Sequence, residues 1–508
     1  MSDHQPAPES CSLFEPGRNC WRVNTAKKFE LVVDGAAYFR ALREALIAAE
    51  WQVLLIGWDF DLEIEMLPGE SDADGDAPDG LPNKVADFIK LLVNRSPELN
   101  IYILRWSGSA VIAPGRLVPA VRLSMSGPDR IKLALDGRHP VGACHHQKIV
   151  IVDDRLAFCG GIDVTDARWD TPDHTPEDPR RVLRDGSPAD PWHDATTAVT
   201  GPVARDLADL ARMRWKRATG EALNAPDLPD HDIWPASLDI SCRNIPVAIS
   251  RTVPPDEDHP LVNEIEEMIL VEIASAKSSI YIESQYFASD AVTEALSRRL
   301  REPTGPDIVV INPVNAENII EDSAMNVTRT RMVKALQRVD HDNRFCILTP
   351  VNAASQSIYV HAKVCVIDDR VLRVGSSNID RRSMGFDTEC DLSIEARDDD
   401  VSQIIADLRN RLLAEHLGCS QKTLADRIAK TGSILAAIHE LNASEGRRLQ
   451  PLDLNTDTGV GAVLADTRLL DPRFKRGTPK RRVMTSRHIA VGVAIVAIVG
   501  TVYRYLIG

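Results

Sequence analysis

Two stretches with the same spacing of His, Lys and Asp decide the fold of this chain: His146–Asp153 reads HQKIVIVD and His361–Asp368 reads HAKVCVID. After six further residues, the first continues with Gly160-Gly161 and the second with Gly375-Ser376-Ser377-Asn378. Both therefore follow the pattern H-x-K-x4-D-x6-G-[GS]. The chain has 13 His, and finding H-x-K-x4-D twice by chance has odds of the order of one in two thousand. The repeat predicts a duplicated unit whose two histidines form one site.

The surroundings of the two motifs repeat one order of elements. Ahead of each histidine lie a helical pattern, an apolar run, a second helix and a second strand: Ala36–Ala49, Val53–Gly57, Lys84–Asn94 and Ile101–Trp106 in the first half, and Leu261–Ala276, Ser279–Ile282, Ala291–Arg301 and Ile308–Asn312 in the second. Helices that alternate with β-branched runs predict an α/β/α sandwich with a mixed sheet in each half. We therefore predict an α/β fold of two pseudo-symmetric lobes that share one cleft. Asp170–Pro191, with five prolines, is predicted to be a mobile surface excursion.

The overall charge and the cysteines bear on partners and compartment. The 508 residues carry a formal net charge of −15. Such a field repels polyanions, so we expect no nucleic-acid partner. The nine Cys form no C-x-x-C pair and no secretory leader pattern is visible, which predicts reduced thiols and a cytoplasmic body.

The His and Lys of each motif lie two residues apart, so an extended backbone projects them to the same side. Two imidazoles and two ammoniums around one cleft suit a phosphodiester, because one His can attack phosphorus while the other protonates the leaving alcohol. We expect the phosphoryl oxygens to be bound by Lys148, Lys363, Ser376 and Asn378. No metal or other cofactor is needed, since these side chains supply the charge. Metal binding by the histidines is the less favoured alternative, because each motif places Lys beside its His.

A nucleophilic imidazole needs a carboxylate that fixes its tautomer. In the second half Glu389 is the predicted partner of His361. In the first half the candidate is Asp194, which closes the tetrapeptide Pro191–Asp194 (PWHD), and its predicted partner is His146. The alternative is that this tetrapeptide only packs and caps a turn.

These motifs resemble the signature of the phospholipase D superfamily. The resemblance runs from about Glu15 to Glu395 and is closest to the eukaryotic-type branch with its bacterial members, on the runs PWHD (191–194), IYIESQYF (280–287), GSSN (375–378) and DRRSM (380–384). It implies a bilobal fold and metal-independent cleavage of a phospholipid at the distal phosphodiester bond through a phosphohistidine. Water as the acceptor gives phosphatidic acid, and an alcohol gives transphosphatidylation.

The resemblance also implies roles for individual residues. His146 is the expected nucleophile and His361 the expected general acid, with Asp194 and Glu389 as the paired carboxylates. Asp153 and Asp368 are also counted among the catalytic residues, and we expect them to support the fold and the lysines. A cardiolipin- or phosphatidylserine-synthase-type phosphatidyltransferase is the first alternative function. A nuclease and a catalytically dead scaffold follow.

The C-terminal region predicts a membrane attachment. Residues 489–508 form an apolar run long enough for a transmembrane anchor, preceded by a basic tether at 468–488 that would attract anionic lipid. A buried core helix or an interfacial segment is the alternative. The predicted order of segments is tail 1–14, first lobe 15–219, linker 220–236, second lobe 237–417, helical extension 418–467, tether and anchor. Since both motifs lie in one chain, a monomer acting on membrane phospholipid is expected.

Overall fold

The computed structural model describes residues 12–109, 116, 119, 123, 127–229, 231–315, 319–454 and 471–480. Among the helices in these ranges, none combines the length and the apolar character needed to cross a bilayer. The predicted anchor, residues 489–508, lies outside the described residues, as does the predicted tail up to residue 11. The last part of that tail is ordered, because Ser12 donates a hydrogen bond to Glu395 (2.8 Å) and Phe14 is buried.

The first lobe begins with one long strand and continues through alternating helices and strands. Its elements are β1 (Arg22–Val33), α1 (Gly35–Ile47), β2 (Gln52–Gly57), α2 (Val85–Arg95), β3 (Asn100–Trp106), β4 (Ile131–Asp136), β5 (Ile149–Val152), β6 (Leu156–Gly160), β7 (Trp192–His193), β8 (Ala195–Thr200) and α3 (Pro202–Thr219).

The second lobe repeats this order. Its elements are β9 (Cys242–Val253), β10 (Val262–Asn263), α4 (Glu264–Ser275), β11 (Ser279–Glu283), α5 (Asp290–Leu300), β12 (Asp307–Ile311), α6 (Ile319–Val339), β13 (Phe345–Val351), β14 (Tyr359–Val360), β15 (Val364–Ile367), β16 (Val371–Gly375), β17 (Glu389–Glu395) and α7 (Asp399–Leu417). They are followed by α8 (Gln421–Thr431), α9 (Ile434–Leu441) and β18 (Arg448–Pro451). The helices and strands predicted ahead of each histidine are thus found within a few residues of their expected bounds.

The two predicted sheets join into one continuous mixed sheet. Its strand order is β18-β13-β12-β11-β15-β16-β17-β9-β1-β8-β6-β5-β2-β3-β4. The junction is the antiparallel pair of twelve-residue strands β1 and β9, which runs from Arg22 opposite Ile249 to Phe29 opposite Cys242. On either side of this pair, equivalent strands follow in the same order. The duplication predicted from the two motifs is therefore visible as a pseudo-twofold arrangement about β1 and β9.

The three largest hydrophobic clusters of the described residues hold the layers together. The largest one contains apolar residues of both lobes, including those of α3 and α7. A second cluster joins α1 and α2 to the sheet of the first lobe, and a third joins α4, α5 and α6 to that of the second. Because one core crosses the lobe boundary, the lobes are packed as one body around the histidines.

Two segments pack more closely than their composition suggests. Within Asp170–Pro191, the side chains of Asp170, His174 and Arg181 are buried, so the prediction of a surface excursion is wrong for these residues. Their charges are paired inside the protein, which composition alone does not show. Residues 471–480, part of the predicted tether, contact the second lobe through an Arg473–Glu266 ion pair of 2.7 Å.

Candidate active site

Both H-x-K motifs lie directly before a central strand rather than inside it. β5 begins one residue after Lys148, and β15 begins one residue after Lys363. The ladder continues into each motif, since the Gly160 N–H donates to the Lys148 carbonyl (3.3 Å) and the Gly375 N–H to that of Lys363 (3.1 Å). The apolar strands thus fix the backbone of each lysine, while the histidine ahead of it reaches beyond the sheet.

Each histidine is paired with a carboxylate of the opposite lobe. His146 Nδ1 lies 3.0 Å from Glu389 Oε2, and His361 Nδ1 lies 2.6 Å from Asp194 Oδ2. The two carboxylates predicted from the sequence are therefore the correct residues, but the predicted pairing within each lobe is wrong. The partners are exchanged between the lobes.

Backbone hydrogen bonds show why the pairs cross. The His146 N–H donates to the Thr388 carbonyl (2.9 Å), and the His361 N–H donates to the His193 carbonyl (2.8 Å). Each histidine is thereby held beside the residue that precedes the other lobe's carboxylate. In the second case the contact extends to a short parallel pairing of β7 with β14. This crossed arrangement makes the site a property of the assembled lobes.

Glu389 is fixed by two serine hydroxyls besides His146. Ser376 Oγ donates to Glu389 Oε2 (2.5 Å) and Ser383 Oγ donates to Oε1 (2.7 Å). Ser376 Oγ also accepts the Cys390 N–H (3.0 Å). The single hydroxyl proton of Ser376 is thus committed to Glu389, which contradicts its predicted role as a phosphate ligand. Ser383 lies in the DRRSM run, but the sequence assigned no role to it.

Asp194 is fixed differently, because a glycine takes the place of Ser376 in the first lobe. Asp194 Oδ1 accepts the Ala195 N–H (2.8 Å), while Oδ2 faces His361. A Cβ atom on Gly161 would lie 2.2 Å from Asp194 Oδ1. The Gly–Ser difference between the motifs therefore follows from the carboxylate beside each position. Gly161 leaves space for Asp194, whereas Ser376 provides a hydroxyl that binds Glu389.

The two lysines have unequal surroundings. Lys148 Nζ forms a 3.0 Å ion pair with Asp163 and donates to the His146 carbonyl (3.0 Å). Lys363 donates to the His361 carbonyl and to Gln285 Oε1 (3.4 Å). The residue equivalent to Asp163 is the neutral Asn378, whose buried Oδ1 has no hydrogen-bond partner among the described residues. The second lobe thus adds no carboxylate at this position.

Burial and the lysines set the protonation of His146. Burial, with the charges of Lys148 and Lys363, lowers the pKa of His146 well below its usual value. Burial raises the pKa of the Glu389 carboxyl well above its usual value, against the effect of hydrogen bonds from Ser376 and Ser383. The His146 imidazole is therefore neutral near pH 7. Because lysines of both motifs act on one imidazole, the two motifs face the same cleft.

The motif aspartates do not take part in this cleft. Asp153 accepts the backbone N–H groups of Glu50, Trp51 and Gln52 at 2.7 to 2.9 Å, where the chain enters β2. Asp368 accepts the equivalent N–H groups where the chain enters β11, among them those of Ser278 (2.7 Å) and Ser279 (2.8 Å). Both fix the turn that leads into a central strand, so the expected support of the fold is found. Their inclusion among the catalytic residues stays a prediction.

Aromatic and amide side chains complete the wall around His361. The Trp192 ring stacks on Tyr359, with centroids 4.6 Å apart, and lies 5.1 Å from the His361 ring. Gln285 Nε2 donates to the Tyr359 hydroxyl (2.9 Å), which orients Oε1 toward Lys363. Both Trp192 and Gln285 lie in runs that the sequence singled out without assigning a role to them. In the first lobe, His145 contacts Thr388 and Asp136 through its two nitrogens and supports the neighbouring strand.

The fold and the site together define a class of protein: a duplicated α/β body in which two His-Lys motifs, each completed by the other lobe, form one composite site. Two models of known protein families match the chain. A family model described as phospholipase D matches residues 134–298, and one described as cardiolipin synthase, PLD-like domain, matches residues 269–412. The chain belongs to the phospholipase D superfamily.

Individual relatives are distant. The chain is 24% identical over 404 residues to phospholipase D alpha 1 of Brassica oleracea var. capitata, which covers 56% of this chain and 50% of that protein. It is 24% identical over 479 residues to phospholipase D A of Dictyostelium discoideum, covering 77% and 35%. The chain thus spans half or less of the length of these relatives. The crystal structure of a phosphatidylserine synthase from Haemophilus influenzae Rd KW20 has the same fold, with 12% identity, a TM-score of 0.51 and coverage of 80% of this chain and 95% of that one.

Proposed function

We propose that this protein cleaves the distal phosphodiester bond of membrane glycerophospholipids through a phosphohistidine on His146 and releases phosphatidic acid. The observation that carries the proposal is the crossed pair of His–carboxylate contacts, His146 with Glu389 and His361 with Asp194. Two oriented imidazoles beside two lysines provide a nucleophile, an acid and a cationic pocket without any further group. The relatives named phospholipase D support this substrate class.

In the first step, His146 Nε2 attacks phosphorus and forms a P–N bond. The P–O bond to the headgroup breaks, and the leaving oxygen takes a proton from His361. Asp194 stabilises the His361 imidazolium before this transfer, since its carboxylate is buried 2.6 Å from Nδ1. In the second step, His361 removes a proton from the acceptor, whose oxygen attacks phosphorus and displaces His146.

The phosphoryl oxygens are held by Lys148 and Lys363. Lys148 forms an ion pair with Asp163 at 3.0 Å, whereas the neutral Asn378 occupies the equivalent position in the second lobe. Asn378 can present its amide N–H groups to the same oxygens, because rotation about the terminal torsion exchanges its Oδ1 and Nδ2 atoms. Ser376 acts through Glu389 and is a positioning residue.

A second candidate function differs only in the acceptor. The second lobe matches the family model described as cardiolipin synthase, PLD-like domain. An alcohol that reaches the phosphohistidine would yield a new phosphodiester, which is the phosphatidyltransferase reaction. Attachment to the membrane through residues 468–508, action as a monomer and a cytoplasmic location remain part of this proposal.

The deciding experiment measures headgroup release from phospholipid vesicles by the wild-type chain and by His146→Ala, with ethanol added in a parallel sample. We expect phosphatidic acid from the wild type, diversion to phosphatidylethanol by ethanol, and loss of both products in the variant. Products formed only with an added glycerolipid or amino-alcohol acceptor would favour the phosphatidyltransferase. Cleavage of single-stranded DNA without any lipid turnover would refute the proposal in favour of a nuclease.

A further inference from the structure

A second cluster of ionisable side chains lies behind the site and takes no part in the proposed reaction. It consists of Asp34, His174, His193 and Glu415 and is named here the interlobe cluster. Asp34 follows β1, His174 lies in the segment 170–191, His193 belongs to β7 and Glu415 to α7. The Asp34, His174 and His193 side chains are fully buried and that of Glu415 is 6% exposed. Four distant parts of the chain thus bring two imidazoles and two carboxylates to one buried point.

The spacing of their polar atoms matches a tetrahedron of metal ligands. Glu415 Oε1 lies 2.9 Å from His193 Nδ1 and 3.1 Å from His174 Nε2. Asp34 lies 3.2 Å from His193 Nδ1 through Oδ1 and 3.8 Å from His174 Nε2 through Oδ2. One ligand atom from each residue can be chosen so that all lie within 4.8 Å of one another. With Zn–N and Zn–O distances of about 2.1 Å, the edge of a tetrahedral site is about 3.4 Å, which falls inside the observed range.

Two atoms of the cluster are buried without a hydrogen bond. Among the residues that the structure describes, neither His193 Nδ1 nor Asp34 Oδ2 has a partner of acceptable hydrogen-bond geometry, although both are shielded from solvent. An unsatisfied polar atom in the interior is energetically costly, so such atoms are rare unless a ligand meets them. Both atoms lie inside the interlobe cluster, with His193 Nδ1 at 2.9 Å from Glu415 Oε1 and Asp34 Oδ2 at 3.8 Å from His174 Nε2.

The outer nitrogens of both imidazoles are held by further carboxylates. His174 Nδ1 lies 2.8 Å from Asp170, and His193 Nε2 lies 3.0 Å from Glu283. Asp170 in turn accepts a hydrogen bond from Arg181 (3.0 Å), and Glu283 accepts one from the Tyr281 hydroxyl (2.5 Å). A carboxylate behind each ligating histidine is the usual support of a protein zinc site, because it fixes the ring and raises its basicity.

We propose that Asp34, His174, His193 and Glu415 bind one Zn²⁺ ion in a closed structural site. Two neutral imidazoles and two carboxylates balance the charge of the ion and fill its four positions, which leaves none for substrate. The competing arrangement is a cluster without metal, in which protonated imidazoles neutralise the carboxylates.

The bound ion would fix a residue of the neighbouring site. His193 directly precedes Asp194, and Asp34 Oδ1 also accepts the Asp194 N–H (3.2 Å). The Asp34 N–H donates to the Asp194 carbonyl (2.8 Å). A metal ion at the interlobe cluster would therefore set the position of the carboxylate that pairs with His361, without touching the reacting atoms.

The test is the metal content of the tag-free full chain, measured by inductively coupled plasma mass spectrometry after dialysis against metal-free buffer. We expect about one equivalent of zinc in the wild type and an at least fivefold lower content in His174→Ala and Asp34→Asn. His139→Ala, which removes a buried histidine outside the cluster, is the matched control and should keep its zinc. Cobalt substitution gives a second readout, since tetrahedral Co²⁺ absorbs intensely in the visible range, and the absorption should vanish in His174→Ala.

Less than about 0.1 equivalent of any metal in the wild type, before and after incubation with Zn²⁺, would overturn the proposal in favour of the protonated cluster. Zinc that persists in His174→Ala would overturn it by placing the ion elsewhere. One equivalent of another metal would overturn the assignment to zinc. None of these results depends on turnover, so they are independent of the outcome for the proposed function.

Discussion

Replacing Asp194 by Asn should disable His361 and leave His146 intact, because the His–carboxylate pairs cross between the lobes. Asp194 is fully buried, His361 is 6% exposed, and the two atoms in contact are 2.6 Å apart. Replacing the carboxylate that orients a catalytic histidine by an amide lowers kcat by up to about 10⁴-fold. We therefore expect a loss in kcat/KM of about 10²- to 10⁴-fold, which corresponds to about 3–5 kcal/mol of transition-state stabilisation. An amide also favours the wrong imidazole tautomer, which acts in the same direction.

The leaving group distinguishes the two histidines. A phospholipid with an alkyl headgroup needs its leaving oxygen protonated, whereas a p-nitrophenyl ester leaves as the phenolate without an acid. We therefore expect Asp194→Asn to lose 10²- to 10⁴-fold in kcat/KM on the alkyl substrate but less than about tenfold on the nitrophenyl one. Glu389→Gln, which acts on the nucleophile, should lose similar factors on both. Release of nitrophenol completes the first chemical step, so the later use of His361 as a base does not enter kcat/KM.

The control variant is Asp154→Asn, since Asp154 is a buried aspartate that pairs with Arg212 at 2.7 Å, away from the cleft. It should keep kcat/KM on both substrates. Melting temperatures of all three variants separate loss of fold from loss of chemistry. The reverse pattern, with Glu389→Gln rescued by the nitrophenyl substrate and Asp194→Asn not, would refute the assigned roles of the histidines. Equal losses for both variants on both substrates would refute His361 as the acid.

Three further outcomes follow from the same geometry. Asp153→Ala leaves three backbone N–H groups without their acceptor, so the free energy of unfolding, measured in urea, should fall by about 3 kcal/mol. The kcat per folded molecule should stay within about twofold. A loss of kcat at full stability would instead assign Asp153 to the chemistry. Gly161→Ala places a Cβ atom 2.2 Å from Asp194 Oδ1, so kcat/KM should fall at least about tenfold on the alkyl substrate, and an unchanged rate would contradict the placement of Asp194. Because the neutral imidazole attacks, the lowered pKa of His146 places the acid limb of the pH profile of kcat/KM below pH 6.5. Lys363→Met removes a positive charge that repels the protonated imidazole, so it should move this limb to higher pH. A move to lower pH would contradict the electrostatic effect of Lys363 on His146.

Much of the fold was predictable because the duplication makes each half a check on the other. The helix pattern Ala36–Ala49 and its counterpart Leu261–Ala276 become Gly35–Ile47 and Glu264–Ser275. Periodicity and apolar runs are local properties, so a sequence records them directly. The joining of the two sheets through β1 and β9 is not local, and no pattern in either strand indicates which strand will be its neighbour.

The site shows the same division. His146, His361, Asp194 and Glu389 were found by spacing and by position in the repeat. Their pairing was predicted from nearness along the chain, whereas it is set by a contact between lobes, so the pairs were assigned the wrong way round. For the same reason Ser376 was predicted to face phosphate, since its bond to Glu389 depends on strand packing. The charges buried in Asp170–Pro191 were hidden because a polar composition does not show whether the polar groups satisfy one another.

The exchange of carboxylates between the lobes has a consequence for how such a chain can be altered by recombination. A chimaera that takes one lobe from a relative changes the surroundings of both histidines at once. This is because each lobe provides the carboxylate that pairs with the histidine of the other lobe. The grafted lobe must therefore fit as a binding partner fits, at the segments around His193 and Thr388 as well as at its own motif. Two chains with complementary defects, one in each lobe, should in turn regain a working centre if they swap lobes as a dimer. A recombined chain therefore keeps a working site only if its two lobes fit each other, even when each lobe is intact.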